Sequence, residues 1–290
     1  MKICGFTIVR NALKYDYPVK EAILSVLPVC DEFLVAVGNS EDQTLQLIQS
    51  INSPKIKIIE TVWDDSLREG GTILAVETNK AIDAISYDFD WLFYIQADEV
   101  LHEKYHAEVL KEMNKWMDDT KTEGLLFKYV HFYGSYHYVG DSRNWYRNEI
   151  RVIKNDKSIR SYKDAQGFRK NGQKLNVRAI DAEIYHYGWV KHPKYQQAKQ
   201  ENFNKLWHSD EWVEQNVVKA DEYDYKRLDI LKKFQGNHPL VMQSRVESMN
   251  WKFEYNTQNF KPSLKLKFLN IIEKVFGWRV GEYKNYKLIK

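Results

Sequence analysis

Asp98 and Glu99 stand side by side where an apolar run, Trp91 to Ile95, breaks into Gln96-Ala97. Carboxylates are hard oxygen donors, the type a divalent cation takes when it holds a diphosphate. The run is short, aromatic and β-branched, which reads as a buried strand of a mostly parallel sheet rather than a helix. Open α/β sheets bind ligands just beyond the C-terminal ends of their strands, where this pair falls. The plainer use of the same residues is Asp98 as a helix cap and Glu99 as a solvated charge.

A sheet must exist to position the pair, and the preceding sequence supplies one. Ile3–Val9 is a continuous apolar run, as expected of a strand covered on both faces. Asp16 and Pro18 suit a helix start, and Val19, Ala22, Ile23, Val26 and Leu27 recur at helical spacing. Glu32–Val37 is a second strand, followed by a polar loop over 38–44 and a helix with Leu45, Ile48 and Ile51 on its buried stripe. Lys57–Val62 is a third strand, and Gly70-Gly71 precede a helix marked by Leu74, Ala81, Ile82 and Ile85. Repeated strand–helix units predict an α/β fold with right-handed crossovers and a mostly parallel central sheet flanked by helices. Beyond Glu99 the spacing predicts a helix to Trp116, a strand over 124–130, a long aromatic loop over 131–147, and strands over 149–154 and 183–190. The chain is then helical and charged.

At 290 residues this is one large domain, or a domain with an appendage. With 43 basic and 40 acidic residues the net charge is +3, so no nucleic-acid partner is expected. No stretch has the apolar length of a membrane span. Ile3–Val9 is too short for a secretory leader and runs into charged sequence. Cys4 and Cys30 sit among apolar residues, as buried free thiols of a cytoplasmic protein do.

The order of these features resembles a family 2 glycosyltransferase of GT-A fold, of the bacterial kind that decorates lipopolysaccharide core or capsular polysaccharide. The matching pieces are Thr7-Ile8-Val9-Arg10-Asn11 at the end of strand one, and Ser40, Asp42 and Thr44 in the loop after strand two. Gln96-Ala97-Asp98 stands in place of the family's Asp-x-Asp, with the first carboxylate replaced by an amide. Asp164 follows in a later loop, and His186 in Ile184-Tyr185-His186-Tyr187-Gly188. The tail from Gly277-Trp278-Arg279 to Asn285-Tyr286 has the look of the same subgroup.

The resemblance implies a GT-A domain over 1–192 and a helical C-terminal extension over 193–290. It implies inverting transfer from a nucleotide-diphospho-sugar, with a UDP-sugar expected, to a hydroxyl of a glycan or lipid-linked saccharide. Mn²⁺ or Mg²⁺ is expected on Asp98 and His186; the alternative for His186 is a core histidine. The donor contacts implied are Thr7, Val9, Arg10, Asn39, Ser40, Asp42, Gln96, Ala97 and Asp98. Asp164 is the first choice of base, with Asp141 and Asp181 as alternatives; Glu99 is expected at the catalytic centre, on the metal or orienting Asp98 or the acceptor. Trp145, Tyr146 and Arg147 would shape the acceptor mouth or serve the core. The tail, with Lys265, Lys267, Lys274 and Arg279 around an apolar stripe, suits either an anionic membrane surface or packing on the domain. Two rivals remain at this level: a sugar nucleotidyltransferase, although Arg10–Tyr17 lacks the expected glycine, and a degenerate sugar- or nucleotide-binding module, suggested by Gly38 and Gln96.

Overall fold

A computed structural model describes residues 1–67, 69–225, 230–256, 264–276 and 279–290. The strands are β1 (Ile3–Val9), β2 (Glu32–Gly38), β3 (Ile56–Thr61), β4 (Trp91–Tyr94), β5 (Glu99–Leu101), β6 (Gly124–Tyr133) and β7 (Ser135–Gly140). They continue with β8 (Asn148–Lys154), β9 (Ile159–Tyr162), β10 (Gly167–Lys170), β11 (Gln173–Lys174), β12 (Asn176–Trp189), β13 (Leu231–Lys233) and β14 (Lys287–Leu288). The helices are α1 (Val19–Val26), α2 (Thr44–Gln49), α3 (Thr72–Ala84), α4 (His106–Lys115), α5 (Pro193–Lys205), α6 (Asp210–Asn216), α7 (Gln243–Glu247) and α8 (Leu264–Phe276).

The N-terminal half is the expected mostly parallel α/β sheet, in the order β3-β2-β1-β4 with every neighbouring pair parallel. All seven residues of β1 are buried, because helices cover both faces. Alternation then sorts the side chains. Ile3, Phe33, Val35, Trp91 and Phe93 pack with Val19, Ile23 and Val26 of α1. Cys4, Phe6, Leu34, Leu92 and Tyr94 pack with Ile73, Ala81 and Ile82 of α3. Burying each such large side chain stabilises by about 1.5–3 kcal/mol. The two cores therefore fix where β1 and β4 stop. Both cysteines are buried and free, and burial pushes both thiols up, away from the thiolate form.

The sheet continues past β4 with β8, antiparallel, then β6, which runs parallel to β12. Several segments differ from expectation. The aromatic stretch 131–147 is not all loop: its first part is the end of β6 and the strand β7, turned at Gly134, whose φ of 68° is left-handed. β12 starts at Asn176 rather than 183, and its early residues alternate between buried and exposed. β9, β10 and β11 form a small antiparallel sheet absent from the expectations. Asp16 does not cap α1; its φ is 48° and its carboxylate pairs with Arg245 at 2.7 Å.

After residue 192 the chain forms α5 to α8 and adds β13 and β14 to the sheet. Glu273 of α8 accepts from Arg143 at 2.5 Å, Arg147 at 2.9 Å and Arg279 at 3.1 Å. Arg147 thus docks the tail rather than shaping an acceptor mouth. Pro262, Gly277 and Trp278, and the side chains of Lys265, Lys267 and Lys274, lie outside the described residues. No described helix is long and apolar enough to cross a membrane.

Candidate functional site

A cavity of about 520 Å³ opens at the C-terminal ends of β1 and β4. It gathers Val9, Arg10, Gln96, Ala97, Asp98, Asp164 and His186, which are far apart in sequence. Tyr146 also lines it, while Trp145 packs on the ring of His131 at 4.8 Å. Helix α5 closes one side and contributes Lys199.

Seven of the expected donor-contact, base and catalytic-centre residues do not line this cavity. Glu99 is fully buried behind it, as the first residue of β5, paired with β12. Its carboxylate takes both Nε and Nη2 of Arg151, at 2.7 and 2.5 Å, and the Tyr129 hydroxyl. A carboxylate committed to a buried guanidinium is neither base nor metal ligand. Asp141 is on the surface, paired with Lys232 at 2.9 Å, and Asp181 is likewise exposed beside Lys128. Thr7 is wholly buried inside β1. The loop after β2 spends its polar groups on the segments that follow β1 and β3. Asn39 accepts from the Trp63 N–H at 3.0 Å, Ser40 accepts from the Asn11 N–H at 3.0 Å, and Asp42 accepts from the Lys14 N–H at 2.7 Å. These residues hold the cavity wall rather than face a ligand. Arg10 does face the cavity, but Asp65 occupies its guanidinium fork at 2.6 and 3.2 Å.

The chemistry centres on Asp98. The Tyr187 N–H donates to the Asp98 carbonyl at 2.8 Å, which lays the end of β4 against β12. Asp98 Oδ2 then lies 3.7 Å from His186 Nε2 and 3.1 Å from Lys199 Nζ. Burial raises the Asp98 carboxyl, but Lys199 and His186 outweigh it and hold the group well below the usual carboxylate range.

A chain of hydrogen bonds sets the tautomer of His186. His131 Nε2 is 2.9 Å from the Tyr146 carbonyl, which only accepts, so this nitrogen carries a proton. Burial lowers the His131 ring well below its ordinary range; with Nε2 carrying the proton, the neutral ring has a bare Nδ1. His186 Nδ1 lies 3.2 Å from that bare nitrogen and must donate to it. In neutral His186 this leaves Nε2 as a lone pair facing the Asp98 carboxylate.

With His186 neutral, its Nε2 and the Asp98 carboxylate face one another as two electron-pair donors that a bound cation would bridge; without one, a proton on Nε2 and the Lys199 ammonium serve the carboxylate. Mg²⁺ binds oxygen at about 2.0–2.1 Å, so a gap of 3.7 Å lets one ion touch both donors. Gly188 keeps that space open: a Cβ there would lie 2.5 Å from His186 Nε2 and 2.7 Å from Asp98 Oδ2. No group of three His, Cys, Asp or Glu suited to a metal exists among the described residues. A metal that keeps waters and takes ligands from substrate phosphates needs only one or two from the protein. The Asp98–His186 pair fits that kind of ion and no all-protein cage.

Asp164 sits in the turn between β9 and β10, flanked by Lys163 and Ala165 with φ of 54° and 58°. Left-handed backbone at two non-glycine residues is strained and is retained where the surroundings demand it. Here it holds the half-buried Asp164 at the cavity wall. Burial raises its carboxyl above the ordinary value. Gln96 donates to the Ala165 carbonyl at 3.4 Å, so the amide in the first position of the strand-end motif links it to this turn.

Three residues here escaped the sequence. Lys199 is one of several lysines in a charged helix, His131 lies in an aromatic stretch with no spacing signature, and Gly188 is a lone glycine in a strand.

No protein-family model and no curated protein matches the chain. Solved structures do resemble it. A 1–349 fragment of S. aureus TarS in complex with UDP is 15% identical with a TM-score of 0.41, covering 76% of this chain and 68% of that one. This chain spans only 41% of a longer TarS structure. The 4-diphosphocytidyl-2C-methyl-D-erythritol synthase of Anaerococcus prevotii is 11% identical with a TM-score of 0.39, covering 66% of this chain and 89% of that one. Glucosyl-3-phosphoglycerate synthase of Mycobacterium tuberculosis, in complex with Mn²⁺, UDP and phosphoglyceric acid, is 16% identical with a TM-score of 0.30, covering 45% and 43%. At such low identity and score these are likenesses of chain path alone.

Proposed function

We propose that this protein is a glycosyltransferase that takes a nucleotide-diphospho-sugar, a UDP-sugar, and passes its sugar with inversion to a hydroxyl of a glycan or lipid-linked saccharide. The observation that carries the proposal is the pair of donors, Asp98 and His186, facing one another across a gap kept open by Gly188 within the cavity. Asp98 and His186 are the residues that would hold Mn²⁺ or Mg²⁺. When bound, such an ion offsets the negative charge that grows on the leaving diphosphate. His131 orients His186 and keeps its lone pair toward the ion. Asp164 takes the proton of the attacking hydroxyl, which strengthens that oxygen as a nucleophile as the bond to the sugar forms.

In this proposal residues 1–192 form the catalytic domain and 193–290 an extension that completes it, since Lys199 lines the same cavity. A membrane-side acceptor is supported by α8, whose Phe268, Ile271, Val275 and Phe276 are 60–75% exposed. The proposed setting is the cytoplasm, on the inner face of the membrane.

The test is release of nucleoside diphosphate from a panel of nucleotide sugars with Mn²⁺ and, separately, Mg²⁺. The wild-type chain should release UDP from at least one UDP-sugar, and Asp98→Ala should lower that rate by about a thousandfold, the scale of losing a principal charge stabiliser. No turnover with any donor, or an Asp98→Ala chain as active as wild type, overturns the proposal.

A further inference from the structure

Lys199 reaches into the cavity from α5 and is only 11% exposed. Its ammonium makes two polar contacts among the described residues, to Asp98 Oδ2 at 3.1 Å and to the Gly188 carbonyl at 2.9 Å. Both partners border the gap between Asp98 and His186. The carboxylate oxygen nearest His186 is thus already neutralised by a tethered cation. A divalent ion arriving alone must displace that ammonium and leave it buried without its counter-charge, beside the ring of Tyr17 at 5.1 Å. An ion arriving with a diphosphate brings negative oxygens that the ammonium can take instead.

Resting on the metal assignment proposed above, we infer that Lys199 is the resident cation of the Asp98–His186 pocket: it excludes divalent metal from the empty site and turns to the leaving diphosphate when metal and nucleotide enter together. The consequence is that metal and nucleotide bind cooperatively. Each raises the other's affinity by the same factor, because the coupling is reciprocal. Lys199 is then a positioning residue for the metal and a direct contact of the diphosphate. The second buried lysine has no such role. Lys191 Nζ donates to the Tyr15 carbonyl at 2.8 Å and joins β12 to the loop after β1.

Titration calorimetry with Mn²⁺ alone, with Mn²⁺ at saturating UDP, and with UDP at saturating Mn²⁺ tests this on the full chain. In wild type, Mn²⁺ alone should bind at least tenfold more weakly than Mn²⁺ in the presence of UDP, within the usual range of coupling between sites. In Lys199→Met the two affinities should move in opposite directions. Mn²⁺ alone should bind about tenfold more tightly, and UDP with Mn²⁺ about tenfold more weakly. Lys199→Arg keeps the charge and should hold Mn²⁺ alone at the wild-type level. A merely structural lysine would change melting temperature and move neither affinity, or both the same way. If Lys199→Met folds poorly, Lys199→Gln serves for the same pair of titrations. Unchanged or weakened Mn²⁺ binding in the uncharged variant overturns the role of Lys199 and leaves the glycosyltransferase proposal standing. A wild-type chain that binds no Mn²⁺ even with UDP overturns the metal assignment itself, and this inference with it.

Discussion

Replacing Glu99 by Ala is expected to destabilise the folded chain by about 3–5 kcal/mol, the scale of breaking a buried ion pair. The cause is what remains. Arg151 is fully buried, and its guanidinium would keep its charge with only Glu149, at 3.9 Å, as a carboxylate partner among the described residues. For a chain of this length the loss lowers the melting temperature by roughly 5–10 °C. The double variant Glu99→Gln with Arg151→Met removes both charges and should recover much of the loss, since an absent pair costs less than half of one. Thermal unfolding of the three chains checks this. Activity lost at an unchanged melting temperature would return Glu99 to the chemistry.

Asp164→Asn should lower the rate of sugar transfer by about 10²–10⁴-fold, the range for removing a general base. UDP binding with Mn²⁺ should be unchanged, because Asp164 lies in the turn after β9 and not among the groups around the metal. The pH profile adds a sign. A base works deprotonated, so activity falls as pH drops through its pKa. Burial raises the Asp164 carboxyl, so the acid limb should lie above the ordinary carboxylate value of about 3.9. That limb should vanish from the residual activity of Asp164→Asn. Transfer retained at the wild-type rate would move the base elsewhere.

The fold was legible where burial is two-sided. β1, β2 and β4 are continuous apolar runs because helices cover both their faces, and such runs announce themselves. β12 was half read, because its first residues alternate and leave Ala179 and Asp181 exposed. The end of β6 and all of β7 read as loop because aromatics and glycines crowd together there; their strand pairing is supported by packing on Phe234, Trp251 and Phe253 far along the chain. In the site, Asp98 and Glu99 look equivalent as a dipeptide. The difference is made by β12, which takes Glu99 into its ladder opposite His186 and sends that carboxylate into the core toward Arg151. Lys199 and Gly188 gain their meaning only from where α5 and β12 bring them, and no local pattern encodes that.

The central claim is that a divalent ion sits between Asp98 and His186 and holds a nucleoside diphosphate. It is tested most directly by titrating UDP, with and without Mn²⁺, into wild type and Gly188→Ala. The added methyl would fall within 2.7 Å of both donors and fill the space of the ion. Wild type is predicted to bind UDP more tightly with Mn²⁺, and Gly188→Ala to lose that increment while still binding UDP without the metal. UDP binding that responds neither to Mn²⁺ nor to the methyl group would contradict the account.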